Sequence, residues 1–253
     1  MKLEKIQRIV LVGHDNEGSS KLFEKITNSN PDAEYLLIIG RGLYYKKTMI
    51  SSIVKLLKEA SLIFVIIRFI ELVRYQLQNS TLKNKAKMKG IPIIYTHDIN
   101  SQDTIEQIKK FAPDLLVSLF TMQIFKAPVL QISKYGSITS HPSILPKYRG
   151  LEVFFWVLAN NEKETGVSVF FMSENIDDGI VFEQQNITIS ADMSMTTLYR
   201  IITDVGGNLL VKAINDIDKN TITPIITTGI GSYYPMPTRK SMLNFLKLKK
   251  KFY

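Results

Sequence analysis

Apolar and polar positions follow two rhythms along this chain. Short, nearly continuous apolar runs recur at Ile6–Gly13, Tyr35–Ile39, Ile91–Tyr95 and Asp114–Phe120. Each is too short for a helix and is bounded by turn-forming residues, which predicts buried strands. Between them, apolar positions three and four apart predict helices over Ser20–Thr27, from Thr48 to Lys87, and over Ser101–Phe111. Strands that are apolar on both faces and alternate with helices predict a parallel sheet covered on both sides. The pattern continues with a strand at Ser137–His141 and a helix at Leu151–Asn160. Gly166–Met172 and Gly179–Ile189 read as two antiparallel strands joined by the turn Ser173–Asp178. A long helix follows over Ser194–Asp216, with Ser194 as its N-cap. The segment GSYYPMPT, residues 231–238, and a short final helix close the chain. The expected fold is α/β, doubly wound around a mostly parallel sheet, with residues 1–190 as the main body. Residues 191–253 are expected as a C-terminal helix and basic tail extending the same domain.

Composition narrows the chemistry. The chain has 253 residues, no Cys, three His (at 14, 97 and 141) and a formal charge of +9. Without Cys there is no disulfide framework, no thiol nucleophile and no Cys-ligated zinc site. With so few His, no metal centre is expected. The composition fits a reducing compartment, and a cytoplasmic location is expected. The N-terminal run IVLVG is too short for the core of a signal peptide. Arg68, Glu71 and Arg74 interrupt the longest apolar stretch, Ala60–Leu77. That stretch is expected as a buried helix with its charges along one edge, and contact with a membrane surface is the weaker alternative. Basic residues cluster at Lys83, Lys85, Lys87 and Lys89, and again at Arg239, Lys240, Lys247 and Lys249–Lys251. The terminal cluster is expected as a solvated, frayed end. No RNA-reading motif accompanies it, which disfavours nucleic acid as a partner. The turn HDNEGSS after the first strand is not GxGxxG, so nothing supports a dinucleotide site.

The densest chemistry lies in SITSHPSILPKYRG, residues 137–150. A strand ending in such a loop is where open α/β sheets place their sites. Thr139 and His141 are two apart and share a face of the strand, with Ser140 on the other. Pro142 holds His141 in extended backbone. Asp177 and Asp178 sit in the later turn, SENIDDGI. A His with a turn carboxylate is material for general acid–base chemistry.

These segments together (HPSILPKYRG, ETGVSVFFM and NIDDGIVFEQ) resemble the catalytic domain of the folate-dependent formyltransferases. That family includes glycinamide ribonucleotide formyltransferase, methionyl-tRNA formyltransferase and the sugar N-formyltransferases. The likeness runs from about Pro113 to Gln185 and extends more weakly to the N-terminus. It implies a fold that binds N10-formyltetrahydrofolate as formyl donor and passes the formyl group to an amine. By this resemblance His141 and Asp177 are the catalytic pair, and Ser143 is a turn hydroxyl. Met122, Gln123, Ile124 and Phe125 fall on the stretch whose main chain contacts the pterin. Ser173, Glu174, Asn175 and Ile176 fall on the loop that closes over it. The family's Asn, whose amide donates to the formyl oxygen, falls on Thr139. Thr keeps one O–H donor but is shorter. The site then donates through a shifted Thr139, works slowly, or binds folate with weakened catalysis. The tail resembles those of short sugar N-formyltransferases, so a nucleotide-linked amino sugar is the expected acceptor. Glycinamide ribonucleotide and methionyl-tRNA are the alternatives, and a homodimer stays open.

Overall fold

β1 (Arg8–Gly13) shows how the sheet is made. Its side chains alternate between two apolar clusters, Ile9 and Leu11 in one, Val10 and Val12 in the other. A strand that is apolar on both sides satisfies its backbone only inside a sheet sandwiched by helices. The computed structural model describes residues 6–41 and 60–253, and those residues form that sandwich. β2 (Glu34–Gly40) and β4 (Leu115–Leu119) flank β1 in parallel, with Leu11 opposite Leu37 and Val117. β3 (Ile93–Thr96) extends one side and β5 (Ser137–His141) the other. β7 (Glu164–Phe171) and β8 (Ile180–Thr188) complete the order β3-β2-β1-β4-β5-β7-β8 as antiparallel neighbours. The strand order reverses between β1 and β4, which opens a crevice at their carboxyl ends. A small second sheet pairs β6 (Arg149–Gly150) with β9 (Tyr233–Tyr234).

Helices cover both faces. α1 (Glu17–Ser29) starts at Asn16, whose side chain accepts from the Ser19 N–H. α2 spans Leu62–Gln76, α3 Leu82–Met88, α4 Gln102–Phe111 and α5 Ala127–Leu130. α6 spans Val153–Ala159, α7 Met195–Asp218 and α8 Arg239–Lys247. Leu22, Phe23 and Ile26 of α1, with Leu198, Ile202 and Leu210 of α7, pack on the Leu11 face. Ile105 and Ile108 of α4, with Phe125 and Val129, pack on the Val10 face. Ser194 caps α7 through the Thr197 N–H, as its residue type predicts.

The structure corrects two expectations and limits a third. The apolar stretch Ala60–Leu77 is not a buried helix, because only Phe64 and Tyr75 of α2 are buried and most of its apolar side chains face outward. The helical pattern predicted from Thr48 to Lys87 breaks at 77–81 between α2 and α3, and its part before residue 60 lies outside the described residues. Nor is the C-terminus frayed. The Lys251 and Phe252 carbonyls accept from the first N–H groups of α7, Met195 at 2.8 Å and Thr196 at 2.9 Å. Such groups at a helix start have no partner within the helix, so the tail serves as an N-terminal cap. Phe252 packs on Phe245, which stacks on Phe155 in the core.

Candidate active site

β5 delivers Thr139 and His141 to one side. Thr139 stands opposite Phe170 and His141 opposite Ser168 on β7. Ser140 points the other way, buried, toward Gly206 of α7. His141 ends the strand, and its ring is almost wholly enclosed. Nδ1 lies 3.3 Å from an Asp177 carboxylate oxygen, and Nε2 lies 2.7 Å from the Tyr148 carbonyl oxygen. Both neighbours are acceptors, so the ring is oriented from either side by an oxygen.

Asp177 is itself held. Its second oxygen accepts from the Gly150 N–H at 2.8 Å. Asp177 has φ 48°, a left-handed conformation that Asp tolerates better than most residues and that turns its carboxylate back toward β5. Gly150 has φ 103°, and a Cβ there would collide with the Tyr234 carbonyl. Only glycine brings its N–H this close to Asp177 while pairing with β9. Next to it, Arg149 binds Asp178 at 2.5 Å and ties the loop after β5 to the loop between β7 and β8.

Thr139 is placed beside His141, but its hydroxyl is already engaged, donating to the Ser118 carbonyl of β4 at 3.1 Å. Ser143 behaves as a turn hydroxyl and donates to the Lys147 carbonyl at 2.6 Å.

The two stretches expected to hold the pterin come together. Glu174 accepts from the Ala127 N–H at 2.8 Å, which links the loop of Ser173, Asn175 and Ile176 to the end of the 122–125 segment. In that segment Gln123 turns its side-chain oxygen to the Ile99 N–H, Phe125 is buried and Ile124 is exposed. Met122 is half-buried at the start of the segment. The side chains of Gln123 and Phe125 are thus taken up by the protein. Ser173 fixes its own turn by donating to the Asp178 carbonyl at 3.0 Å. Among the described residues no group of His, Cys, Asp and Glu could hold a metal ion.

Sequence reasoning missed the residues that brace these loops. Asn100 donates to the Ile124 carbonyl and accepts from the Lys126 N–H. Ser168, fully buried, donates to the Ser143 carbonyl and accepts from Leu145 N–H and the Gln184 amide. Ser232 accepts from the Tyr148 N–H, and Tyr234 stacks on Tyr148 with centroids 4.7 Å apart. The one available signal was Ser168, a polar residue within the apolar run Val167–Phe171 of β7.

A formyl transferase sequence profile matches residues 35–214. The methionyl-tRNA formyltransferase of Alkaliphilus oremlandii is 33% identical over 162 residues, 64% of this chain and 52% of that protein. This chain therefore spans about half the length of that curated relative. An N-formyltransferase from Helicobacter canadensis, solved with folinic acid and dTDP-3-aminofucose, shares the fold at TM-score 0.59 and 21% identity. That match covers 93% of this chain and 72% of the other. Glycinamide ribonucleotide transformylase 1 from Symbiobacterium toebii shares the fold at TM-score 0.62 and 17% identity, over 87% and 94% of the two chains. With a profile match over most of its length and the motif residues gathered at one crevice, this chain belongs to the formyl transferase family.

Proposed function

We propose that this protein transfers a formyl group from N10-formyltetrahydrofolate to the primary amine of a nucleotide-linked amino sugar. The observation that carries the chemistry is the His141–Asp177 contact at 3.3 Å, with Asp177 locked by the Gly150 N–H. The donor supplies an activated formyl carbon, and the chain's residues manage charge and protons around it. The His141 ring, oriented by Asp177 and the Tyr148 carbonyl, helps to stabilise negative charge developing on the formyl oxygen. Asp177 holds that ring in place and helps to pass the proton that the attacking amine gives up to N10, as the N10–formyl bond breaks and tetrahydrofolate leaves. The 122–125 main chain and the 173–176 loop, linked through Glu174 and the Ala127 N–H, are the segments we assign to the pterin.

The sugar acceptor draws support from the length of the fold match to the Helicobacter canadensis enzyme and from the +9 charge, which suits a phosphorylated substrate. The test is a panel of acceptors under one assay. Tetrahydrofolate formation is followed with a dTDP-linked amino sugar, glycinamide ribonucleotide and methionyl-tRNA in turn. Turnover with the amino sugar alone is expected. Preference for either other amine would replace the acceptor and leave the chemistry standing.

A second reading rests on Thr139, whose hydroxyl is bound to Ser118. It makes the chain a folate-binding protein with weakened catalysis. Tight folate binding without turnover on any of the three amines would favour it.

A further inference from the structure

α2 is turned inside out relative to an ordinary surface helix. Arg68, Glu71 and Tyr75 face the protein: Arg68 binds Glu71 at 2.5 Å and Glu152 at 3.6 Å. The Arg68 guanidinium also lies over the rings of Phe154 and Tyr199. Two turns on from Arg68, the Tyr75 hydroxyl donates to Asp15 at 2.8 Å and accepts from the Leu82 N–H. These contacts fix the rotation of the helix about its axis. The opposite face carries Leu62, Ile63, Ile66, Phe69, Ile70 and Val73, each at least 41% exposed. At about 100° per residue these six fall within a wedge of about 120°. Leu77, 81% exposed, continues the stripe past the helix end. A soluble helix buries such a stripe. Rotating α2 to do so would expose Arg68 and Glu71 and strand the Glu152 carboxylate without its counter-ion, so the fold itself holds the apolar stripe outward.

Basic residues accompany α2, on its flank and along the strap that touches it. Arg74 lies on its flank and stacks over Tyr253 at 5.7 Å. The C-terminal strap meets α2 at its start as well, where the Ser61 N–H donates to the Pro237 carbonyl at 2.9 Å. Between these two contacts the strap exposes Arg239, Lys240, Lys247, Lys249 and Lys251 and contains no acid.

We propose that α2 and the C-terminal strap form a docking surface for an anionic lipid bilayer, with α2 lying in the plane of the interface. Its 15 residues make a rod of about 22 Å, short of the roughly 30 Å hydrocarbon layer, so it rests on a membrane and does not span one. No helix among the described residues is long and apolar enough to cross. Apolar side chains on one face with Lys and Arg beside them are the attributes of an interfacial helix. Charge separates this occupant from a second copy of the chain. A second copy seated on α2 would bring no acid from its own stripe or strap to pair with Arg74 and the strap lysines, whereas anionic headgroups neutralise them. The surface is independent of the chemistry at His141.

Flotation of the full chain with vesicles tests the proposal. The vesicles are phosphatidylcholine alone, or phosphatidylcholine with about a third phosphatidylglycerol. The wild type is expected to float with the mixed vesicles and to remain behind with the neutral ones. Ile66→Ser/Phe69→Ser/Ile70→Ser changes only exposed side chains, and Lys247→Gln/Lys249→Gln/Lys251→Gln removes only surface charge. Each triple variant should lose at least about tenfold in partitioning while keeping its circular dichroism. Formyl transfer to a soluble acceptor, measured without lipid, reads the catalytic site separately and should not change in either variant. Three results would overturn the proposal: a wild type that does not float, an apolar variant that floats as well as wild type, or a dimer by light scattering that the apolar variant dissociates without any vesicle binding. The last would assign the stripe to a second copy.

Discussion

Thr139→Asn places a longer donor on the face of β5 that carries His141. In the wild type the Thr139 hydroxyl donates to the Ser118 carbonyl at 3.1 Å, and losing that bond lowers stability by about 1 kcal/mol. The Asn amide extends one bond farther from the backbone, toward the formyl oxygen in the proposed reaction. A preorganised donor aimed at a developing oxyanion is worth about 3–4 kcal/mol, or about 10²–10³ in kcat. KM should move little, because the new bond strengthens as charge develops in the transition state. Thr139→Val is the matching control: it keeps the shape of the side chain and drops the bond to Ser118. The structure predicts a stability loss of about 1 kcal/mol for Val and a kcat within about twofold of wild type, since the hydroxyl it removes already serves β4. The assay is tetrahydrofolate formation at saturating donor and acceptor, run beside urea unfolding of each variant. A tenfold or greater fall in kcat for Thr139→Val would show that the hydroxyl donates to the reacting group. A flat kcat for Thr139→Asn would show that the crevice is built around Thr.

His141→Ala and Asp177→Asn should each lower kcat by about 10²–10⁴ with unchanged circular dichroism, and near-wild-type turnover in either would remove that pair from the mechanism. Deleting residues 248–253 should destabilise the fold by about 2–4 kcal/mol, because it removes the carbonyls that cap α7 and the Phe252 ring on Phe245; an unchanged urea midpoint would contradict this. Burial lowers the pKa of His14 from 6.5, opposed in part by its ring bond to the Gly40 carbonyl at 3.0 Å. The unfolded chain then binds the proton first, so stability should fall as pH drops below 6.5, by at most about 1.4 kcal/mol per pH unit until the folded ring protonates. His14→Asn keeps a donor for Gly40 and should flatten that slope, as urea midpoints at about pH 7.5 and about pH 5.5 would show.

The parts of the fold that reading the residues could reach are those dictated by local pattern. β1, β2 and β4 are buried on both faces, so their apolar runs are unbroken, and the pairing of Thr139 with His141 on one face follows from strand alternation. What local pattern could not reveal depends on partners distant in sequence. Arg68 and Glu71 of α2 face inward because Glu152, at the entry to α6, supplies a counter-ion for Arg68. The basic tail is ordered because α7 offers it unpaired N–H groups. The rigidity of the catalytic loop comes from Ser168, Gln184 and Ser232, hydroxyls and an amide that carry no motif and gain meaning only when β7, β8 and β9 assemble around it. Thr139 shows the same limit, since its residue type allows donation to a substrate while the neighbouring Ser118 carbonyl takes the hydrogen.

The central claim is that formyl transfer to an amino sugar passes through the crevice of His141 and Asp177. Its most direct test is mass spectrometry of a dTDP-linked amino sugar incubated with N10-formyltetrahydrofolate and either wild-type protein or His141→Ala. The account predicts a sugar nucleotide heavier by one formyl group with the wild type and unmodified substrate with the variant. Equal formylation by both proteins, or formylation by neither in a preparation that binds folate, would contradict it.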